Sequence, residues 1–183
     1  MAAGRQQLQG AVFVRDGATL TIEPGTTIMG DTEGKGTLIV AQDAMIMAEG
    51  TAMQPIIMTS PQELGGRGPQ DWGGLILNGR ATLNVDGGIS EGEGDTGTFG
   101  GGENPDDTDN SGNLQYVRVE FAGIEFSPEN ELNGIAFQGV GSKPGSLDES
   151  QQKLVQHQKG ALAEDASASG GRKRIATSSF SNG

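Results

Sequence analysis

The segment Asp107-Thr-Asp109-Asn-Ser111-Gly112 places oxygen-bearing side chains at its first, third and fifth positions and a glycine at its sixth. Alternate residues of a tight loop can aim their oxygens at one centre, and glycine permits the bend. The chemistry this spacing suggests is calcium coordination. The twelfth position, where a glutamate would close such a loop, is Arg118, so Asp106 or Glu103 must stand in for it. The candidate metal ligands are therefore Asp106, Asp107, Asp109 and Ser111, with calcium as the expected ion. Turns rich in Asp and Ser also form without any ion, using their oxygens to hold their own backbone. A second acidic run, Glu91, Glu93 and Asp95, has glycines between its carboxylates. It reads first as a solvated loop.

Other residue types allow less. Trp72 stands between Asp71 and Gly73-Gly74, where an indole can either stack on a sugar ring as a ligand contact or pack on the flank of the fold. Arg118 and Glu120 are two apart on a strand pattern. They share a face and are expected to form an outward ion pair. His157 is the only histidine and lies far along the chain, so a histidine-dependent triad is unsupported. Gly92-Glu-Gly94 and Gly100-Gly-Gly102 lack the Lys-Ser/Thr and the following helix of a phosphate loop. Gly171-Arg-Lys-Arg174 is a short basic patch, expected to be solvated.

Charge and composition exclude several classes. There are 24 acidic residues against 12 basic ones, a net charge of −12. A field of that sign disfavours nucleic acid and anionic membranes as partners and attracts cations. Cysteine is absent, which removes disulfides, thiolate metal sites and a cysteine nucleophile. No apolar run is long enough to span a membrane, and residues 1–10 carry no apolar export signal. The 32 glycines, at about twice the usual share, and the few aromatic residues point to many turns and short strands rather than to a conventional core.

The elements that must position these residues are repeats. Gly17-Ala-Thr-Leu-Thr-Ile-Glu-Pro-Gly-Thr-Thr-Ile-Met29 parallels Gly36-Thr-Leu-Ile-Val-Ala-Gln-Asp-Ala-Met-Ile-Met47. On an 18-residue offset Leu20 aligns with Leu38, Ile22 with Val40 and Ile28 with Ile46, Leu38 leads on to Ile56, and a step of 19 residues reaches Leu75. Each unit holds an apolar-x-apolar strand, a turn and a second short strand. One unit cannot bury its own apolar face, whereas stacked copies can, so the pattern predicts a β-solenoid. Glu23-Pro24-Gly25 has the signature of a type II turn, and Asp16-Gly17, Glu49-Gly50, Asn78-Gly79 and Asp86-Gly87 punctuate other strands. An antiparallel sandwich built on Asn-Gly hairpins is the competing architecture. Between Asp86 and Asn113 the pattern gives way to a long acidic, glycine-rich loop. It resumes at Leu114–Phe121, with Leu114, Tyr116 and either Val117 or Val119 facing inward, and again at Gly134–Val140. Residues 1–142 carry six bases and 20 acids, a net −14, whereas residues 143–183 carry +2. That last segment reads as disordered, with a weak helix over 151–163.

Ala18-Thr-Leu-Thr-Ile-Glu-Pro-Gly-Thr-Thr-Ile28, Asp71-Trp-Gly-Gly-Leu-Ile-Leu-Asn-Gly-Arg-Ala81, Tyr116-Val-Arg-Val-Glu-Phe-Ala-Gly123 and Asn130-Glu-Leu-Asn-Gly-Ile-Ala-Phe-Gln-Gly-Val-Gly141 resemble a family of exported bacterial β-helix proteins, often lipoproteins or cell-surface proteins, within the pectin-lyase-like superfold. The resemblance covers residues 10–142. It implies an all-β, right-handed parallel β-helix, to which the residue pattern adds one long acidic, glycine-rich loop and a disordered C-terminal tail. It divides the chain into an N-terminal extension at 1–9, a partial β-helix domain at 10–142 and the tail at 143–183.

The resemblance also implies an extracellular or cell-surface location; the role expected there is a non-catalytic one in adhesion, assembly or glycan contact, with calcium at the Asp107–Gly112 spacing stiffening the long loop. Self-association through an open solenoid end is a further expectation. The alternative from another class is a polysaccharide-active enzyme of pectate-lyase type, in which Arg80 or Arg118 would act beside calcium-binding carboxylates. A third reading is a truncated fragment without its own function.

Overall fold

The computed structural model describes residues 1–15, 17–127 and 130–141. The expected C-terminal tail with its weak helix, His157 and Gly171–Arg174 lies outside these residues. Short alternating segments become strands because a brief apolar-x-apolar run has one face to bury and too little length for a helix. The first coil consists of β1 (Arg5–Leu8), β2 (Ala11–Val14) and β3 (Thr19–Ile22). The second consists of β4 (Thr27–Gly30), β5 (Thr37–Val40) and β6 (Met45–Glu49). In the third, β7 (Ile56–Thr59) and β8 (Gly74–Asn78) are followed by an excursion carrying β9 (Ser90–Glu91) and β10 (Thr98–Phe99) before β11 (Gly112–Gln115). The fourth begins with β12 (Val117–Val119), passes through β13 (Glu125–Ser127) and β14 (Asn130–Glu131), and reaches β15 (Ile135–Gln138).

The strands stack into three parallel sheets that form the walls of a β-helix. Their orders are β1-β4-β7-β12, β2-β5-β8-β15 and β3-β6-β11. Among the described residues only the two small ribbons, β9-β10 and β13-β14, are antiparallel, and both sit outside the walls. The sandwich alternative is thereby excluded. Inside, equivalent apolar residues lie over one another. Val12, Leu38, Leu75 and Ile135 form one ladder and Ile28, Met58 and Val119 another. Leu38, Leu75, Ile28 and Met58 are fully buried. Each such side chain contributes roughly 1.5–3 kcal/mol relative to exposure, which is how strands this short hold together.

The register corrects the repeat alignment. Leu20 pairs with Ile46, not with Leu38, and Leu38 pairs with Val12. Leu20 and Leu38 stand on different walls. All three walls use the same alternation, so an offset of two strands looks like a repeat although the true repeat is three strands. Two boundaries also move. The first coil starts at β1, so residues 1–9 are not an extension, and Leu8 is buried in the core. The run Leu114–Phe121 is two strands on two walls rather than one. Tyr116 forms the corner between them with φ +47° and is half exposed, while Val117 and Val119 both face inward. The turn at Glu23–Gly25 forms as its sequence predicts, with Gly25 at φ +78°.

Candidate functional site

The acidic segment leaves the wall after β8 and returns at β11, and its carboxylates serve the backbone along the way. Asp107 Oδ1 accepts from the Thr82 amide at 2.7 Å, and Asp109 Oδ2 from the Arg80 amide at 3.3 Å. Asp106 Oδ1 accepts from both the amide and the hydroxyl of Thr108, at 2.9 and 2.7 Å. Ser111 is buried, and its carbonyl accepts from the Ile46 amide at 3.0 Å, which seats the returning chain on the third sheet. The four residues expected to hold calcium are therefore neighbours in sequence that face different backbone partners. Among the described residues no three His, Cys, Asp or Glu side chains gather into a metal-holding group. Local side-chain turns form beside the one-three-five positions, at Asp106 and at Asn110, whose Oδ1 accepts from the Gly112 amide at 3.0 Å. In the earlier acidic run, Glu91 Oε1 accepts from the Thr98 hydroxyl at 2.8 Å, tying β9 to β10.

Trp72 is not a ligand platform. It is fully buried, its indole nitrogen donates to the Glu120 carbonyl at 2.8 Å, and its ring lies on Gly30. A β-carbon at Gly30 would come within 2.4 Å of that ring. The missing side chain on the second coil is the space the indole fills.

The two arginines proposed for catalysis are each paired at the surface. Arg80 Nη1 lies 3.1 Å from Asp43 Oδ1, with both side chains substantially exposed. Arg118 pairs with Glu120 on one face, as their spacing predicts, and Glu120 also accepts from the Thr59 hydroxyl at 3.2 Å. Neither pair sets a basic group beside two carboxylates in a cleft.

A groove lies elsewhere, on the outer face of the second sheet where its strands end. It is shallow and open, with a volume of about 300 Å³, and is lined by Phe13, Arg15, Gln42, Asn78, Gly97 and Thr98 among others. Its floor follows from register. Val14, Val40 and Leu77 pair and point inward, so the next residues, Arg15, Ala41 and Asn78, point outward in a row. The Arg15 guanidinium sits 3.9 Å above the Phe13 ring, a cation–π contact that holds it over the outer face of the sheet. Gln42 Nε2 donates to the carbonyls of Gly79 and Gly100 at 3.0 and 2.8 Å, fastening the root of the excursion to the second coil. The far wall is the β9–β10 turn, held by Asn78 Nδ2 donating to the Thr96 carbonyl at 2.7 Å.

None of this groove was visible as a motif. Asn78-Gly79 reads as turn punctuation, and Phe13, Arg15 and Gln42 come from two separate coils. Their convergence depends on the three-strand register that the sequence pattern disguised.

The chain belongs to the family of pectate-lyase-like β-helix domains, whose family model matches residues 2–147. No curated protein matches the chain, and no solved structure does.

Proposed function

We propose that this chain is a non-catalytic, exported or cell-surface β-solenoid that contacts glycans through the groove on its second sheet. The observation that carries the proposal is the Arg15 guanidinium stacked over Phe13 in an open groove that Asn78 also lines. The guanidinium laid over the ring offers a sugar a planar surface with several fixed hydrogen-bond donors, and the ring beneath holds it in place. The charged groups that a lyase would need, by contrast, are engaged in ion pairs and loop bonds. Location outside the cell rests on the family, whose domains are commonly extracellular. Among the described residues no helix is long and apolar enough to cross a membrane. Self-association belongs to the same proposal. The edge strands β1 and β2 offer sheet edges on which a second copy could pair, whereas Met1 bonds along β3.

Affinity electrophoresis against a panel of neutral and acidic polysaccharides tests the reading, with each mixture assayed for new reducing ends and unsaturated products. The expected result is retardation without product. Phe13→Ala and Arg15→Ala should each weaken binding about tenfold, which is about 1.4 kcal/mol. Product formation would replace this reading with the enzymatic one. Absence of retardation across the panel would leave assembly as the role, to be read from the mass of the chain in solution.

A further inference from the structure

Among the described side chains, Asn78 Oδ1 and Gln138 Oε1 are buried acceptor atoms without a hydrogen-bond partner. They belong to facing residues of β8 and β15. A buried polar atom left unpaired is costly, and here two stand on neighbouring rungs. Stacked amides can satisfy each other, the nitrogen of one donating to the oxygen of the next. Asn78 Nδ2 is instead turned to the Thr96 carbonyl, which fixes its oxygen on the other side.

The β9–β10 turn closes over this corner and brings more oxygens. A β-carbon built on Gly92 would lie 2.2 Å from Thr96 Oγ1, 3.0 Å from Gln138 Oε1 and 3.1 Å from the Gly97 carbonyl. The open side of Gly92 therefore looks into three converging oxygens. Thr96 is buried and its hydroxyl donates to the Glu93 carbonyl at 2.9 Å, so the hydroxyl hydrogen is already committed and only lone pairs remain. The Gly97 carbonyl accepts one bond, from the Gly92 amide at 2.8 Å, and keeps a second lone pair. Oxygen acceptors gathered with none of their own hydrogens left to share are what a hard cation coordinates. The strongly acidic chain raises the local concentration of such ions.

We propose that this corner is a cation site, distinct from the acidic segment at 106–111. Gln138 Oε1, Thr96 Oγ1 and the Gly97 carbonyl hold a hard cation there, sodium, potassium or calcium, beside the Asn78 amide that fixes the Thr96 carbonyl. The ion pins the β9–β10 turn to the ends of β8 and β15, and so sets the far wall of the groove. The proposal stands apart from glycan binding, because its readout is stability in the absence of any saccharide.

The test uses the full chain, stripped with chelator and exchanged into tetramethylammonium chloride. It is melted at constant ionic strength with added sodium, potassium or calcium. One of the three is expected to raise the midpoint by several degrees in a saturable way, since a ligand bound only by the folded state must stabilise it. Gln138→Met keeps the shape and removes the oxygen, and Gly92→Ala puts a methyl group among the ligands. Both should abolish the rise, while Asp107→Asn should retain it. The proposal is overturned by no saturable rise from any ion, or by a rise that survives both Gln138→Met and Gly92→Ala. A rise lost only in Asp107→Asn overturns it in favour of the acidic segment. A crystal structure grown in the stabilising ion, with water or an amide nitrogen in its place, overturns it too.

Discussion

Between the first coil and the second, the chain returns quickly to each wall: from Arg5 to Thr27 on the first sheet, from Val12 to Leu38 on the second and from Leu20 to Ile46 on the third. Between the third coil and the fourth the path is more than twice as long, from Ile56 to Val117 on the first sheet and from Leu75 to Ile135 on the second. On those two sheets the walls are alike in both halves, since parallel pairing and inward ladders continue unbroken. The corners are not alike. In the first half they are short turns. In the second they carry ribbons, and their backbone is held by side-chain acceptors such as Asp71, Asp107 and Asp109. One half is stabilised chiefly by burial, and the other adds a layer held by hydrogen bonds. Damage to the ladders should therefore be global, and damage to the corners local.

The largest effect should come from the residue that joins the halves. Trp72 lies on Gly30 of the second coil and donates to Glu120 beyond β12. Trp72→Ala should cost about 3–5 kcal/mol in denaturant unfolding. A loss below about 1 kcal/mol would mean that the coils do not depend on it, a small effect by the standard of core truncations. Next is Gly112, where the excursion rejoins the wall at φ +118°. A β-carbon there would lie 1.9 Å from the Ile46 carbonyl. Gly112→Ala should cost at least about 1–3 kcal/mol from backbone strain alone, with faster amide exchange at Ile46. Unchanged exchange at Ile46 would show that the corner can shift without disturbing the wall.

A smaller and more local effect is expected at Asp107. Asp107→Ala should cost about 1 kcal/mol and expose the Thr82 amide to exchange while leaving Leu38 protected. If Leu38 were also deprotected, the two halves would not be separable in the way proposed. The smallest effect is at the surface. Arg118→Ala and Arg80→Ala should each change stability by no more than about 0.5 kcal/mol, less in high salt. A larger change at Arg80 would assign the Asp43 pair a part in holding the excursion.

The same division governs what could be read from the residues. Strand existence was legible wherever apolar residues alternate, because one buried face is a local property. The turn at Pro24-Gly25 was legible for the same reason. Register was not. The walls at Leu20, Leu38 and Ile56 share one pattern, and nothing within a strand says which wall it occupies. Tyr116 was misplaced because a corner with a positive φ interrupts what looks like one continuous alternation. Trp72 was open to two readings because its partner, the empty side of Gly30, is an absence. The Asp107 rhythm was legible as a tight loop, but the identity of what the oxygens hold depends on amides much earlier in the chain, at Arg80 and Thr82. Asn78 and Gln138 meet only through the pairing of β8 with β15, so no linear pattern could have joined them.

The third sheet shows how little a wall registers the length of its corners. The step from Ile46 to Gly112 is more than twice as long as the step from Leu20 to Ile46, yet both land on the same ladder. The entropy of closing a loop grows only with the logarithm of its length, so the longer path adds under about 1 kcal/mol. A solenoid of this kind separates inheritance into two tracks. Substitutions in the ladders are constrained by their neighbours above and below, whereas a corner can gain, lose or exchange dozens of residues with the scaffold unaware. New recognition surfaces can therefore arise by insertion at one address, without a fold having to be reinvented to carry them.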